Sequence, residues 1–239
     1  MTKVLMVLSA ADKWTLKDGS THPTGFWAEE FVVPYDIFSA AGFDITVATP
    51  GGKAPTVDKI SLGPLSGQLP KKIKETKARL RALKPVLDHP EDVHTQDHNQ
   101  FDLVFYPGGH GPMEDLAADE KSGALLADRL QSGKLLALLC HSPAAVLGAS
   151  GGGDATESEL KRNPFAGRKI TGLSNLEERM WPFSWKAKWM LENKLKQAGL
   201  QYNKGFPLRS HVVVDGNLYS GQNPQSSKEL AEKLVTALR

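Results

Sequence analysis

Three short, mostly apolar runs limit what this chain can become: Lys3–Leu8, Phe101–Tyr106 and Leu135–Leu139. Each has the length of a strand, and Lys3–Leu8 in particular has the continuous apolar character of a strand buried on both faces of a parallel sheet. Segments with helical spacing lie between them. That alternation implies an α/β fold, a doubly wound and largely parallel sheet. In such sheets the loops after different strands converge on one edge, where sites form.

Taken in order, Gly25–Ala41 reads as the first helix, with Phe26, Glu30, Val33, Ile37 and Ala40 on one stripe and Pro34 expected to kink or shorten it. Phe43–Thr49 is a β-branched strand. The block 53–100 reads as an insertion or cap within one domain spanning 1–239. It holds a Gly-, Pro- and Ser-rich loop, a basic helix Lys71–Leu87 with Ile73, Leu80, Leu83 and Leu87 as its buried stripe, and a polar stretch 88–100. Ser122–Ser132 is a helix, Lys169–Leu173 a short strand and Trp185–Ala198 a lysine-rich helix. A hairpin turning at Asp215-Gly216 and a helix Ser226–Leu238 close the chain. The aromatic residues Trp181, Phe183, Trp185 and Trp189 fit core packing better than a pocket wall.

Bulk properties mainly exclude. With 29 basic and 27 acidic residues the net charge is +2, which gives no electrostatic case for nucleic acid or membrane surfaces. A single cysteine rules out an intramolecular disulfide and a cysteine-rich zinc site. The opening apolar run is too short for a signal peptide core, and no run approaches the ~18 apolar residues of a membrane span. A cytoplasmic protein is the expectation. His89, His94 and His98 invite a metal reading, but their spacing and Pro90 favour a solvated loop.

Chemistry concentrates where Leu135–Leu139 ends on Cys140, the only cysteine, followed by His141-Ser142-Pro143 and small residues. A strand that stops at Cys-His and turns into a helix is similar to a nucleophile elbow, and the helix dipole there would favour a thiolate. The alternative is a small buried cysteine. Glu30, on a core-facing stripe, is either salt-bridged or a carboxylate of altered acidity. Gly108-Gly109, directly after a strand, either makes a tight turn or presents N–H groups to a reacting atom. Together, Cys140, the N–H groups of Gly109 and His141, and Glu30 would supply a nucleophile, oxyanion donors and a proton-transferring group.

Thr24-Gly25 with Glu30 five positions on, Ala41-Gly42-Phe43, Pro107-Gly108-Gly109-His110-Gly111, Cys140-His141-Ser142-Pro143-Ala144, Ile170-Thr171-Gly172 and Gly221-Gln222-Asn223-Pro224 together resemble the ThiJ/PfpI superfamily. The long insertion and the Thr-Gly-to-Glu spacing resemble its heat-shock-type branch of glutathione-independent glyoxalases (glyoxalase III). The resemblance implies a flavodoxin-like, class I glutamine amidotransferase-like three-layer sandwich, usually a homodimer. It makes Cys140 the nucleophile, Glu30 the proton-transferring carboxylate, and His141 the partner of an acid that motif counting puts at Glu178. Gly108, Gly109 and His141 would form the oxyanion and substrate-binding loop. Two departures stand out: Ser142 replaces a glycine common in the family, and Leu173-Ser174-Asn175 leaves no acid where some relatives have aspartate.

The implied reaction converts a small 2-oxoaldehyde such as methylglyoxal to a hydroxy acid, with no metal, glutathione or other cofactor in the scheme. Two alternatives use the same residues differently: a cysteine peptidase or amidase built on Cys140, His141 and Glu178, and a stress-related holding chaperone that binds unfolded proteins.

Overall fold

In the computed structural model, which describes residues 1–239, the apolar runs become neighbouring strands of one sheet. The elements are β1 (Lys3–Val7), β2 (Lys13–Thr15), β3 (Thr21–Pro23), α1 (Ala28–Ala40), β4 (Asp44–Thr49), α2 (Pro70–Ala82), α3 (Lys84–Asp88), β5 (Glu91–Asp92), β6 (Leu103–Tyr106) and α4 (Glu120–Gln131). Then follow β7 (Leu135–Leu139), α5 (Glu157–Leu160), β8 (Lys169–Ile170), α6 (Asn175–Glu178), α7 (Leu191–Gln197), β9 (Gln201–Tyr202), β10 (Val212–Asp215), β11 (Leu218–Gly221) and α8 (Ser227–Ala237).

The central sheet runs β10-β11-β7-β6-β1-β4-β5, parallel throughout except for the β10–β11 hairpin at one edge. Leu5 lies between Thr46 and Val104, and Tyr106 lies beside Leu138, so the middle strands end level with one another. Alternate side chains of a strand point to opposite faces, and here both faces are covered. Leu5, Val7, Val104, Tyr106, Leu136 and Leu138 share one core with α4, α7 and the 3₁₀ segment Ser142–Ser150. Val4, Met6, Leu103, Phe105, Ala137 and Leu139 share the other with α1 and α8. The result is the expected flavodoxin-like α/β sandwich. No helix is long and apolar enough to cross a membrane.

Several element boundaries differ from the expectation, each for a physical reason. The chain from Lys71 to Leu87 is two helices, because Pro85 has no N–H to continue α2. Of its stripe only Leu83 is buried, joined by Thr76. α1 begins at Ala28 because Phe26 is held in extended conformation by a bridge to Val57. It runs through Pro34 to Ala40, and Ala40 is exposed while Phe31, Val32 and Phe38 face the core. Only Leu191–Gln197 of the proposed 185–198 helix is α-helical, since Ala187 and Met190 are extended. β8 is two residues long and pairs outside the main sheet with β9, a strand not foreseen. The four aromatics do not form one core cluster: Trp185 is 70% exposed, whereas Phe183 and Trp189 pack against the core.

Within 53–100, β5 extends the sheet edge and α2 packs on α1. His94 pairs with Asp119 at 2.6 Å, apart from His89 and His98.

Candidate active site

β7 ends at Leu139, and Cys140 takes the left-handed conformation (φ 60°) that non-glycine residues rarely adopt. The peptide is pinned on both sides, its N–H donating to Gly221 O at 2.9 Å and its carbonyl accepting from Leu173 N–H at 2.8 Å. This elbow fixes Cys140 and His141 as neighbours, with Sγ 3.5 Å from His141 Nδ1.

His141 Nε2 lies 2.6 Å from Glu178 Oε2, and His110 Nε2 lies 2.8 Å from Glu178 Oε1. All three side chains are at most 3% exposed. Burial favours a neutral imidazole at His141, and nearby His110 lowers its pKa further. Burial alone would raise Glu178, but His141 and His110 outweigh it and hold the carboxylate well below its usual range. An ionised carboxylate only accepts, so both Nε2 atoms carry the protons and His141 turns a lone pair at Nδ1 toward the thiol.

These nitrogens and oxygens are the chain's one cluster with metal-ligand chemistry. At 2.6 and 2.8 Å they hydrogen-bond directly to one another.

Glu30 sits in the first turn of α1, fully buried. Its Oε2 accepts the Gly108 N–H at 2.8 Å, while Oε1 has no partner that satisfies hydrogen-bond geometry. The polar group bearing on it is the Cys140 thiol. Desolvation pushes the Glu30 pKa up to about 8. Desolvation, then the charge of Glu30, raises the Cys140 thiol in turn, and this corrects the expected thiolate. The segment after His141 is a 3₁₀ helix, and burial overrides any contribution from its dipole. The resting pair therefore holds its protons. Glu29, beside Glu30, is half-buried and accepts from Gln68 of the 53–100 block at 2.8 Å.

The glycine loop brings the donors. A Cβ on Gly108 would lie 2.7 Å from Glu30 Oε2 and 2.8 Å from His141 N, and one on Gly109 (φ 96°) would lie 2.4 Å from Gly25 O. Only glycines let these backbones meet. The Gly109 N–H bears on the Cys140 thiol and lowers its pKa, against the larger effects of burial and Glu30.

A cavity of about 540 Å³ opens onto Cys140, His110 and His141. Trp27, Leu173 and Trp181 line it, and Leu65–Gly67 of the 53–100 block, Met180 and Leu208 frame it.

The structure thus brings together Glu30, Gly108, Gly109, Cys140, His141 and Glu178. It adds His110, whose place in Pro107-Gly108-Gly109-His110-Gly111 was visible but whose bond to Glu178 spans 68 residues. Glu177, beside Glu178, has a structural task. It accepts from Ser174, Leu208, Gln222 and Asn223, tying the Gly221–Pro224 loop to α6. The acid missing at 173–175 is supplied by α6, whose Ser174 cap and Glu177 form a capping box.

Known proteins resemble the chain in sequence and in fold. Glutathione-independent glyoxalase hsp3101 of Schizosaccharomyces pombe is 26% identical over 98% of this chain and 94% of its own length. Protein/nucleic acid deglycase HchA of Staphylococcus aureus is 25% identical over 99% of this chain and 80% of its own. In structure, the fold is similar to glyoxalase III from Candida albicans (TM-score 0.79, 23% identity, 99% of this chain and 97% of that one). The Francisella tularensis rapid encystment protein of 24 kDa superposes with a TM-score of 0.82 at 23% identity, each chain fully covered. Residues 22–237 match the DJ-1/PfpI family, and with its sheet, elbow and glycine loop the chain belongs to that family.

Proposed function

We propose that the protein is a glutathione-independent glyoxalase that converts 2-oxoaldehydes such as methylglyoxal to 2-hydroxy acids. The observation that carries this reading is the pairing of two functions at one sulfur: a thiol beside a neutral imidazole base, and a fully buried carboxyl whose pKa of about 8 suits proton exchange with carbon near neutral pH. The named activity of hsp3101 supports it.

His141 takes the thiol proton as Cys140 Sγ adds to the aldehyde carbon, giving a hemithioacetal. The Gly109 and His141 N–H groups stabilise the oxyanion. In the molecules where Glu30 is ionised, a substantial share near its pKa of about 8, the carboxylate removes the hydrogen from that carbon and returns it to the neighbouring carbon. His141 meanwhile passes the former thiol proton to the oxygen of that neighbouring carbon, so that the enediol collapses to a thioester. Water cleaves the thioester to the hydroxy acid and restores the thiol. Atoms balance as aldehyde plus one water.

The test is lactate formation from methylglyoxal without glutathione. Wild type should produce lactate, Cys140→Ala none, and Glu30→Gln about 10²–10⁴-fold less. A folded wild-type protein that makes no lactate sinks the reading.

A second reading is favoured by the cavity itself. Its volume of about 540 Å³ exceeds what a three-carbon aldehyde fills, and its rim residues Leu65 and Leu208 are 71% and 59% exposed. An aldehyde adduct on a protein or nucleic acid amino group would fit such a mouth, as the name of HchA implies for that relative. Lactate release from a methylglyoxal adduct should then persist when free aldehyde is scavenged; release that stops with scavenging leaves only the glyoxalase.

A further inference from the structure

Glu178 carries one imidazole more than a thiol–base–acid arrangement requires. His141 uses Oε2 at 2.6 Å, and His110 occupies Oε1 at 2.8 Å. The carboxylate is 2% exposed, so no bulk water can replace either donor. His110 is itself held firmly. Its ring stacks on Trp14 of β2 at 4.8 Å, meets Phe183 edge-on at 5.2 Å, and lies 4.1 Å from the His141 ring.

We propose that His110 is a positioning residue: its N–H satisfies the second oxygen of Glu178 and thereby keeps His141 in the tautomer that receives the Cys140 proton. The assignment rests on the reading that Cys140 and His141 work as a thiol–base pair. The reasoning follows the donors. An ionised Glu178 can only accept, which places the His141 proton on Nε2 and leaves Nδ1 free to face the sulfur at 3.5 Å. With His110 unable to donate, Oε1 would be buried without a partner, and the carboxyl would be driven toward its protonated form. A protonated Glu178 donates to His141 Nε2 instead. The ring proton then moves to Nδ1, aimed at the thiol, and the base is gone.

Two substitutions separate this role from packing. His110→Gln places an amide N–H where the imidazole Nε2–H was and loses the ring stack. His110→Phe keeps an aromatic ring against Trp14 and loses the N–H. Cys140 is the only cysteine, so its alkylation by iodoacetamide reports thiol activation directly and independently of turnover. At pH 7 His110→Phe should slow alkylation about tenfold or more, a partial loss of the ~10²–10⁴-fold that a general base contributes. kcat for methylglyoxal should fall in parallel, with KM within about threefold, and His110→Gln should recover both to within about threefold of wild type.

Wild-type rates in His110→Phe overturn the proposal, as does a His110→Gln variant as slow as His110→Phe when both melt like wild type. Should His110→Phe not fold, nitrogen NMR of wild type decides: a proton on Nδ1 of His141 refutes the assignment, and one on Nε2 upholds it. If alkylation follows the expected pattern while no variant and no wild type makes lactate, the glyoxalase reading fails and the role of His110 stands.

Discussion

Ser142 shows how a single hydroxyl is built into the elbow. Fully buried, it accepts the Leu139 N–H at 2.7 Å and donates to the Tyr106 carbonyl at 2.7 Å, joining the ends of β7 and β6 beneath Cys140. The sequence showed the departure from the family's glycine but not its use, because the partners belong to two separate strands. Ser142→Ala leaves a buried donor and acceptor unpaired, and it should cost about 1–3 kcal/mol in urea unfolding. Cys140 and Glu30 were recognisable from their local settings, a strand end and a core-facing helix position. His110 was not, because a histidine after two glycines looks the same whether it faces solvent or a carboxylate 68 residues away.

At the scale of elements, the strands were the legible part. β1, β6 and β7 lie where continuous apolar runs placed them, since burial on both faces writes itself into every residue. Helix limits depended on single residues: Pro85 broke one expected helix, and extended residues at Ala187 and Met190 shortened another. α4 illustrates a contact that no periodicity announces. Its Arg129 is fully buried and donates to the carbonyls of His98, Phe101, Asp102 and Leu135, gathering the chain before β6 and the start of β7. Arg129→Met strips donors from several carbonyls at once and should lower stability by about 3 kcal/mol or more, read from the urea midpoint.

For the whole molecule, the buried Glu30 ties folding to pH. Its folded pKa of about 8 stands above the ordinary 4.5, so the native state holds a proton that the unfolded chain releases. The stability it contributes is complete below about pH 4.5 and is lost as pH rises through about 8. Relative to Glu30→Gln, wild type should lose about 1.4 kcal/mol per pH unit across that window, measurable by urea unfolding at pH 5, 6.5 and 8. A flat difference would mean that Glu30 titrates normally.

The site also has a history in time. Gly108 meets Glu30 across 78 residues, His110 meets Glu178 across 68, and His141 meets Glu178 across 37. Loops this long close late, after the parallel strands that carry them have paired. A partly folded chain therefore has the cysteine and the histidine side by side but neither the acid that orients the base nor the carboxyl that tunes the thiol. During refolding from urea, lactate formation from methylglyoxal should return only with the last native phase, well after helical circular dichroism. The pairing that a sequence reader finds first is, for the folding chain, inert until everything else is in place.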